Sequence, residues 1–151
     1  MTALHYLTVQ DMLWINLQVT KKVNHYNFAR LEEATFYQYS YGESKDLVPQ
    51  AGRFASGFPR LRPFDTGNAA TAFVGCLAFL RLNGIYLTML DAIAYEWFES
   101  ILSKAKSGTD AIQDKAQMAE QQDHIEPNVR ETIQRVLDQY SCTVLTLAQL
   151  N

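Results

Sequence analysis

The chain has 151 residues, 48% of them apolar and 19% charged, with a formal net charge of -3. That length suits a single domain with a substantial core. No Lys/Arg cluster exceeds Lys21-Lys22, so nucleic acid and anionic membrane lack an electrostatic footprint to bind.

Residues 8–22 are expected to form the first helix. Thr8 and Asp11 have capping-box spacing, with Asp in place of Glu. Val9, Met12, Leu13 and Leu17 mark an apolar face that Trp14 and Ile15 widen. Asn27 is placed to cap a second helix over 28–38. His5 and His25 have no partner at ligand spacing and read as surface or packing histidines. Glu32-Glu33 reads as a solvated face, because helix neighbours point about 100° apart. Tyr37, Tyr39 and Tyr41 then alternate with a strand-like period. The other reading of this stretch is a helix end whose aromatics pack on the core.

A third helix is expected over 46–58, with Pro49 in the first turn, where proline is tolerated. Gly57, Pro59 and Pro63 should break the chain. Arg53, Arg60 and Arg62 lie near that break, as surface arginines or as the lining of an anionic site. The run from Ala69 to Asn83 is apolar on nearly every side and predicts a buried helix over 67–83, stopped by Asn83-Gly84. It is shorter than the roughly 20 residues of a membrane span. Gly75 would let another helix approach closely.

Ile85-Tyr86-Leu87 reads as a short extended link. Thr88, with Asp91 three residues on, predicts a cap for a helix running to about Lys104. Residues 109–123 predict a weak surface helix, and Pro127 fits the first position of the next. Cys142 to Leu147 is apolar and β-branched, either a strand or a continuing helix, and is a candidate to cover the core or to contact a second copy. Cys76 and Cys142 lack metal-ligand spacing and fit a reducing cytoplasm. The N-terminus lacks the pattern of a signal peptide.

Gly67 and the helix behind it define the candidate site. The first N–H groups of a helix lack internal partners and carry the positive end of its dipole. A glycine there lets a phosphate or carboxylate approach. The competing reading is a simple cap by Asp65 or Thr66.

Arg62-Pro63-Phe64-Asp65-Thr66-Gly67-Asn68-Ala69-Ala70-Thr71-Ala72 resembles the signature loop of the Fic/Doc (Fido) family, in its death-on-curing branch. That loop reads His-x-Phe-x-Asp/Glu-Gly/Ala-Asn-Lys/Gly-Arg, often followed by Thr-Ala. Phe64, Gly67, Asn68, Thr71 and Ala72 match it. Phe79 to Gly84, Tyr6 to Asp11 and Leu31 to Ala34 resemble the same branch, so the likeness spans roughly residues 4–100 and leaves 109–151 as an extension. The resemblance implies an all-α domain round a buried central helix, with a small β flap at 36–45. That flap would grip a target protein or an antitoxin-like peptide through Tyr37, Tyr39 and Tyr41. The family transfers a nucleotide monophosphate, or a phosphate, to a protein hydroxyl, using ATP or another nucleotide with Mg.

The departures fall on the residues that do this chemistry. Arg62 stands where the family has its catalytic His, Thr66 where it has the metal-holding acid, and Ala69 and Ala70 where it has Lys or Gly and then Arg. A guanidinium stays protonated and offers no lone pair, so Arg62 is no base. Losing a positioned base costs about 10²–10⁴ in rate. No catalytic or metal-binding residue is therefore assigned. Arg62, Phe64, Asp65, Thr66, Gly67 and Asn68 remain as a phosphate- or nucleotide-binding set. The expected protein is a non-catalytic binder of a phosphate-bearing ligand or a protein partner, with an active transferase as the alternative. Self-association is left open.

Overall fold

The computed structural model describes residues 4–39, 46–118 and 128–150. Its fold is all-α: α1 (Val9–Thr20), α2 (Phe28–Phe36), α3 (Leu47–Leu61), α4 (Asn68–Leu82), α5 (Asp91–Leu102), α6 (Gly108–Lys115), α7 (Val129–Gln139) and α8 (Ser141–Ala148). Two three-residue strands, β1 (Ile85–Leu87) and β2 (Ala116–Met118), pair antiparallel.

The apolar run becomes the centre of the molecule. Every residue of α4 except Arg81 is buried. α1, α3, α7, α8 and β1 pack round it. Phe73 sits edge-on to Phe98, Trp97 and Tyr140, with centroids 5.4, 6.5 and 5.6 Å away. Gly75 does admit close neighbours: a methyl carbon there would stand 2.9 Å from the Met12 side chain and 3.1 Å from the Phe54 ring. Burial pushes the Cys76 thiol up to about 12, whereas Cys142 is exposed.

The helix starts follow local rules. Thr8 and Asp11 form a full capping box on α1. Asn27, Ser107 and Asn128 each accept from a first-turn N–H of α2, α6 and α7. Pro127 lies outside the described residues.

Several expectations need correction. α3 runs through Gly57 and Pro59 to Leu61. Pro59 falls in the last turn, where a single i→i−4 bond is forfeited and only Arg60 and Leu61 follow. Thr88 does not cap α5. Its N–H and hydroxyl both donate to the Lys115 carbonyl, at 2.8 and 3.1 Å, and α5 starts at Asp91 and ends at Leu102.

Asp91 instead accepts the N–H groups of Cys142 and Thr143, each at 2.9 Å, and so holds the start of α8. Burial raises its carboxyl, but those hydrogen bonds outweigh it and leave the group below the ordinary carboxylate range. The stretch expected as a surface helix over 109–123 is not one helix, nor is its helical part at the surface. α6 stops at Lys115, β2 follows, and Ala111 and Ile112 are fully buried.

Of the flap stretch 36–45, the described residues 36–39 follow the helix-end reading, and 40–45 lie outside the described residues. Tyr37 is the C-cap of α2 in right-handed helical geometry, and Tyr39 follows in a bend. Neither is in a strand. The Tyr37 ring lies against Gly57, and Tyr39 stacks on Tyr6 at 4.2 Å. Tyr41 lies outside the described residues. The Cys142–Leu147 tail resolves as helix α8, with Thr143, Val144 and Leu147 buried against the core.

α3 and α6 cross at Gly52 and Gly108. A methyl carbon on Gly52 would stand 2.5 Å from the Thr109 nitrogen and 2.8 Å from the Gly108 carbonyl carbon, both backbone atoms. Gly52→Ala should therefore destabilise the fold by about 1–3 kcal/mol despite alanine's better helix propensity. Gly75→Ala, which meets movable side chains, should cost less in urea denaturation. Ellman's reagent should label Cys142 in the native protein and reach Cys76 only on unfolding.

Candidate functional site

α3 ends because Arg62 takes a left-handed conformation (φ 48°), its N–H donating to the Pro59 carbonyl at 3.2 Å. The chain then pairs with the loop after α1. Asn27 N–H donates to Pro63 O at 2.9 Å and Asp65 N–H to His25 O at 3.1 Å, closing a bridge between Tyr26 and Phe64. Gly67, at φ 82°, turns the backbone into α4. That conformation is cheap for glycine alone.

The loop spends its polar groups on itself. The Asn68 side chain accepts from Phe64 N–H at 2.9 Å and donates to Phe64 O at 2.8 Å. Asn16, on α1, donates to Thr66 O at 3.0 Å and to the Thr71 hydroxyl at 3.1 Å. Asn24 donates to Asn16 Oδ1 at 2.9 Å and to Thr20 Oγ1 at 3.0 Å, and accepts from the Thr66 hydroxyl at 2.9 Å. The Thr20 methyl lies 2.3 Å from where a methyl carbon on Gly67 would stand.

This geometry corrects the expected open cradle. Phe64, Gly67, Asn68, Ala69 and Ala70 are all buried, and Asn68 serves Phe64 rather than an incoming anion. Asp65 and Thr66 do not act as side-chain caps, because α4 has none. Arg62 and Asp65 are exposed and enter none of the ion pairs found among the described residues. The donor set does not fit Mg with a nucleotide: Thr66 is held by Asn24, and no cluster of three His, Cys, Asp or Glu capable of holding a metal occurs among the described residues.

Asn16, Thr20 and Asn24 were missed by motif reading. The signal for Asn16 was an amide on the otherwise apolar face of α1.

Two clefts open on the surface, the first of them beside Phe64 of the loop. One, about 430 Å³, is lined by Leu13, Trp14, Leu17, Val23, Tyr26 and Phe64, with Lys22 and Arg130 among its cations. Arg130 lies over the Trp14 ring at 4.4 Å and 3.9 Å from Asp11. Val23 is 88% exposed, Phe28 57%, Tyr26 45% and Leu17 37%. The other, about 410 Å³, lies between α3, the end of α5 and the start of α6. Arg53 and Arg60 belong to it; Arg62 does not.

Comparison with protein-family models, curated proteins and solved structures finds no match for this chain.

Asn68→Ala would leave the buried N–H and carbonyl of Phe64 without their partner. It should cost about 2–4 kcal/mol in chemical denaturation, whereas Asp65→Ala should stay within about 0.5 kcal/mol.

Proposed function

We propose that this protein is a Fic/Doc-like domain that has given up group transfer and acts by binding a segment of another protein. One observation carries the reading: side chains of the motif loop and of α1 close the loop, while large apolar side chains lie exposed beside it. What supports the family likeness is that the motif segment folds as a turn at Gly67 opening a buried helix. Arg62 offers no base there, and Phe64, Gly67 and Asn68 of the phosphate-binding set are buried.

The groove between α1 and the loop before α2 is the binding surface. Contiguous exposed apolar area of this kind marks interaction sites. Its lining is mostly apolar, and its charged members Lys22 and Arg130 are both cations. The partner segment that fits is apolar and carries a nearby carboxylate. The flap stretch is a second candidate for partner contact only through Tyr39, which stacks on Tyr6 but stays partly exposed.

Random peptides displayed on phage should enrich for apolar segments flanked by Asp or Glu. Leu17→Asp and Val23→Asp should abolish that binding while leaving the circular dichroism unchanged. Failure to enrich, or binding that survives both substitutions, would sink the groove. Incubation with labelled ATP and cell lysate should transfer no label above a heat-denatured control; label above it would restore the transferase alternative.

A further inference from the structure

We propose that Arg130 determines which segment the apolar groove accepts, by taking an Asp or Glu side chain of that segment on the two Nη groups of its guanidinium; this rests on the groove being the binding surface.

Arg130 lies in the first turn of α7, and its side chain reaches Trp14 and Asp11 of α1. The guanidinium carbon stands 4.4 Å from the centroid of the Trp14 ring. A cation over an indole face is held there by the charge distribution of the ring. Contact through that face uses none of the five N–H donors of the guanidinium. Part of the side-chain freedom that binding would remove is therefore already gone in the free protein.

One carboxylate is near, and it is engaged elsewhere. Asp11 Oδ1 lies 3.9 Å from Arg130 Nε, beyond hydrogen-bond length. Asp11 Oδ2 accepts the Thr8 N–H at 2.8 Å and completes the capping box of α1. The Nη groups of Arg130 make no hydrogen bond found among the described residues. A planar fork with unused donors matches a carboxylate through two parallel hydrogen bonds.

The ring that positions Arg130 is itself a wall of the groove, beside Leu13, Leu17 and Tyr26. A carboxylate on Arg130 thus meets the cation next to apolar surface, where water screens the pair less than in bulk. Lys22, the other cation of the groove, has neither ring nor carboxylate against its ammonium among the described residues. Its flexible stem must be ordered afresh by any ligand, so it is the weaker reader.

Selection of random displayed peptides on the parent and, side by side, on Arg130→Gln tests this. The parent should enrich apolar segments rich in Asp or Glu. Arg130→Gln should still enrich apolar segments, with Asp and Glu back at their frequency in the unselected library. By fluorescence anisotropy, an acidic peptide selected on the parent should bind Arg130→Gln at least about tenfold more weakly. Arg130→Lys keeps the charge but loses the fork, and should lose at least about threefold. Lys22→Gln should stay within about twofold. The tenfold loss should recur on the parent when the acid of the peptide is replaced by its amide, a change that leaves the protein untouched. That amide peptide should bind the parent and Arg130→Gln alike. If the parent enriches no apolar segment, the groove itself fails and this proposal with it. If the parent enriches apolar segments without an acidic preference, or Arg130→Gln keeps that preference, the groove stands and the role of Arg130 is overturned.

Discussion

The burial of α4 governs the rest of the molecule. A helix in solvent can leave its terminal N–H and carbonyl groups to water; one buried along almost its whole length needs partners within the protein. At both ends of α4, side-chain amides tie neighbouring segments of backbone to the helix. Asn68 pairs with both backbone groups of Phe64 at the start, and Asn83 pairs with both backbone groups of His5 at the end, at 2.7 and 2.9 Å. Asn83 also donates to the Phe79 carbonyl at 2.8 Å. Gln38 repeats the device on Leu7, at 2.8 and 2.7 Å. Each amide acts as a single rung of a ladder, tying an extended segment to a helix end without a strand.

This arrangement explains why a loop built like a phosphate cradle is closed. An open cradle needs its N–H groups and its glycine facing water. Here Thr20 covers Gly67, while Asn16 and Asn24 tie Thr66 and Thr71 to α1. A paired polar network of this kind rigidifies the joint between α1, the loop and α4. An anion entering there would have to break several buried hydrogen bonds before making any of its own. Burial of the loop leaves its side chains to serve packing.

What could be seen in the sequence was whatever local chemistry dictates. Thr8 with Asp11, and Asn27 before Phe28, placed two helix starts to the residue, because a cap depends only on its nearest neighbours. The buried α4 was visible as an apolar run with no polar side. Long-range effects were not visible. Thr88 looked like a cap until the Lys115 carbonyl, brought near by strand pairing, took its donors. Residues 109–123 looked like a surface helix because Ile112, Ala116 and Ala119 make only a narrow apolar stripe, yet the Gly52–Gly108 contact draws α6 against α3, and Ala111 and Ile112 are buried. At the site, that Arg62 offers no lone pair to act as a base was legible at once. That Gly67 lies beneath Thr20 was not, since nothing in the motif specifies what covers it.

Enclosure of α4 also decides where recognition can occur. α1 and α3 each present one side to α4, so their chemistry toward the outside lies on the other. On α1 that side carries Leu13, Trp14 and Leu17; on α3 it carries Arg53 and Arg60. The first set is apolar with cations at hand, the second is cationic, and each is extended by a neighbouring segment of matching character. Val23 and Tyr26 continue the apolar side, and Lys104 and Lys106 continue the charged one. Sequence neighbours of the motif thus contribute to two surfaces of different chemistry, and Phe64 of the motif reaches the apolar one.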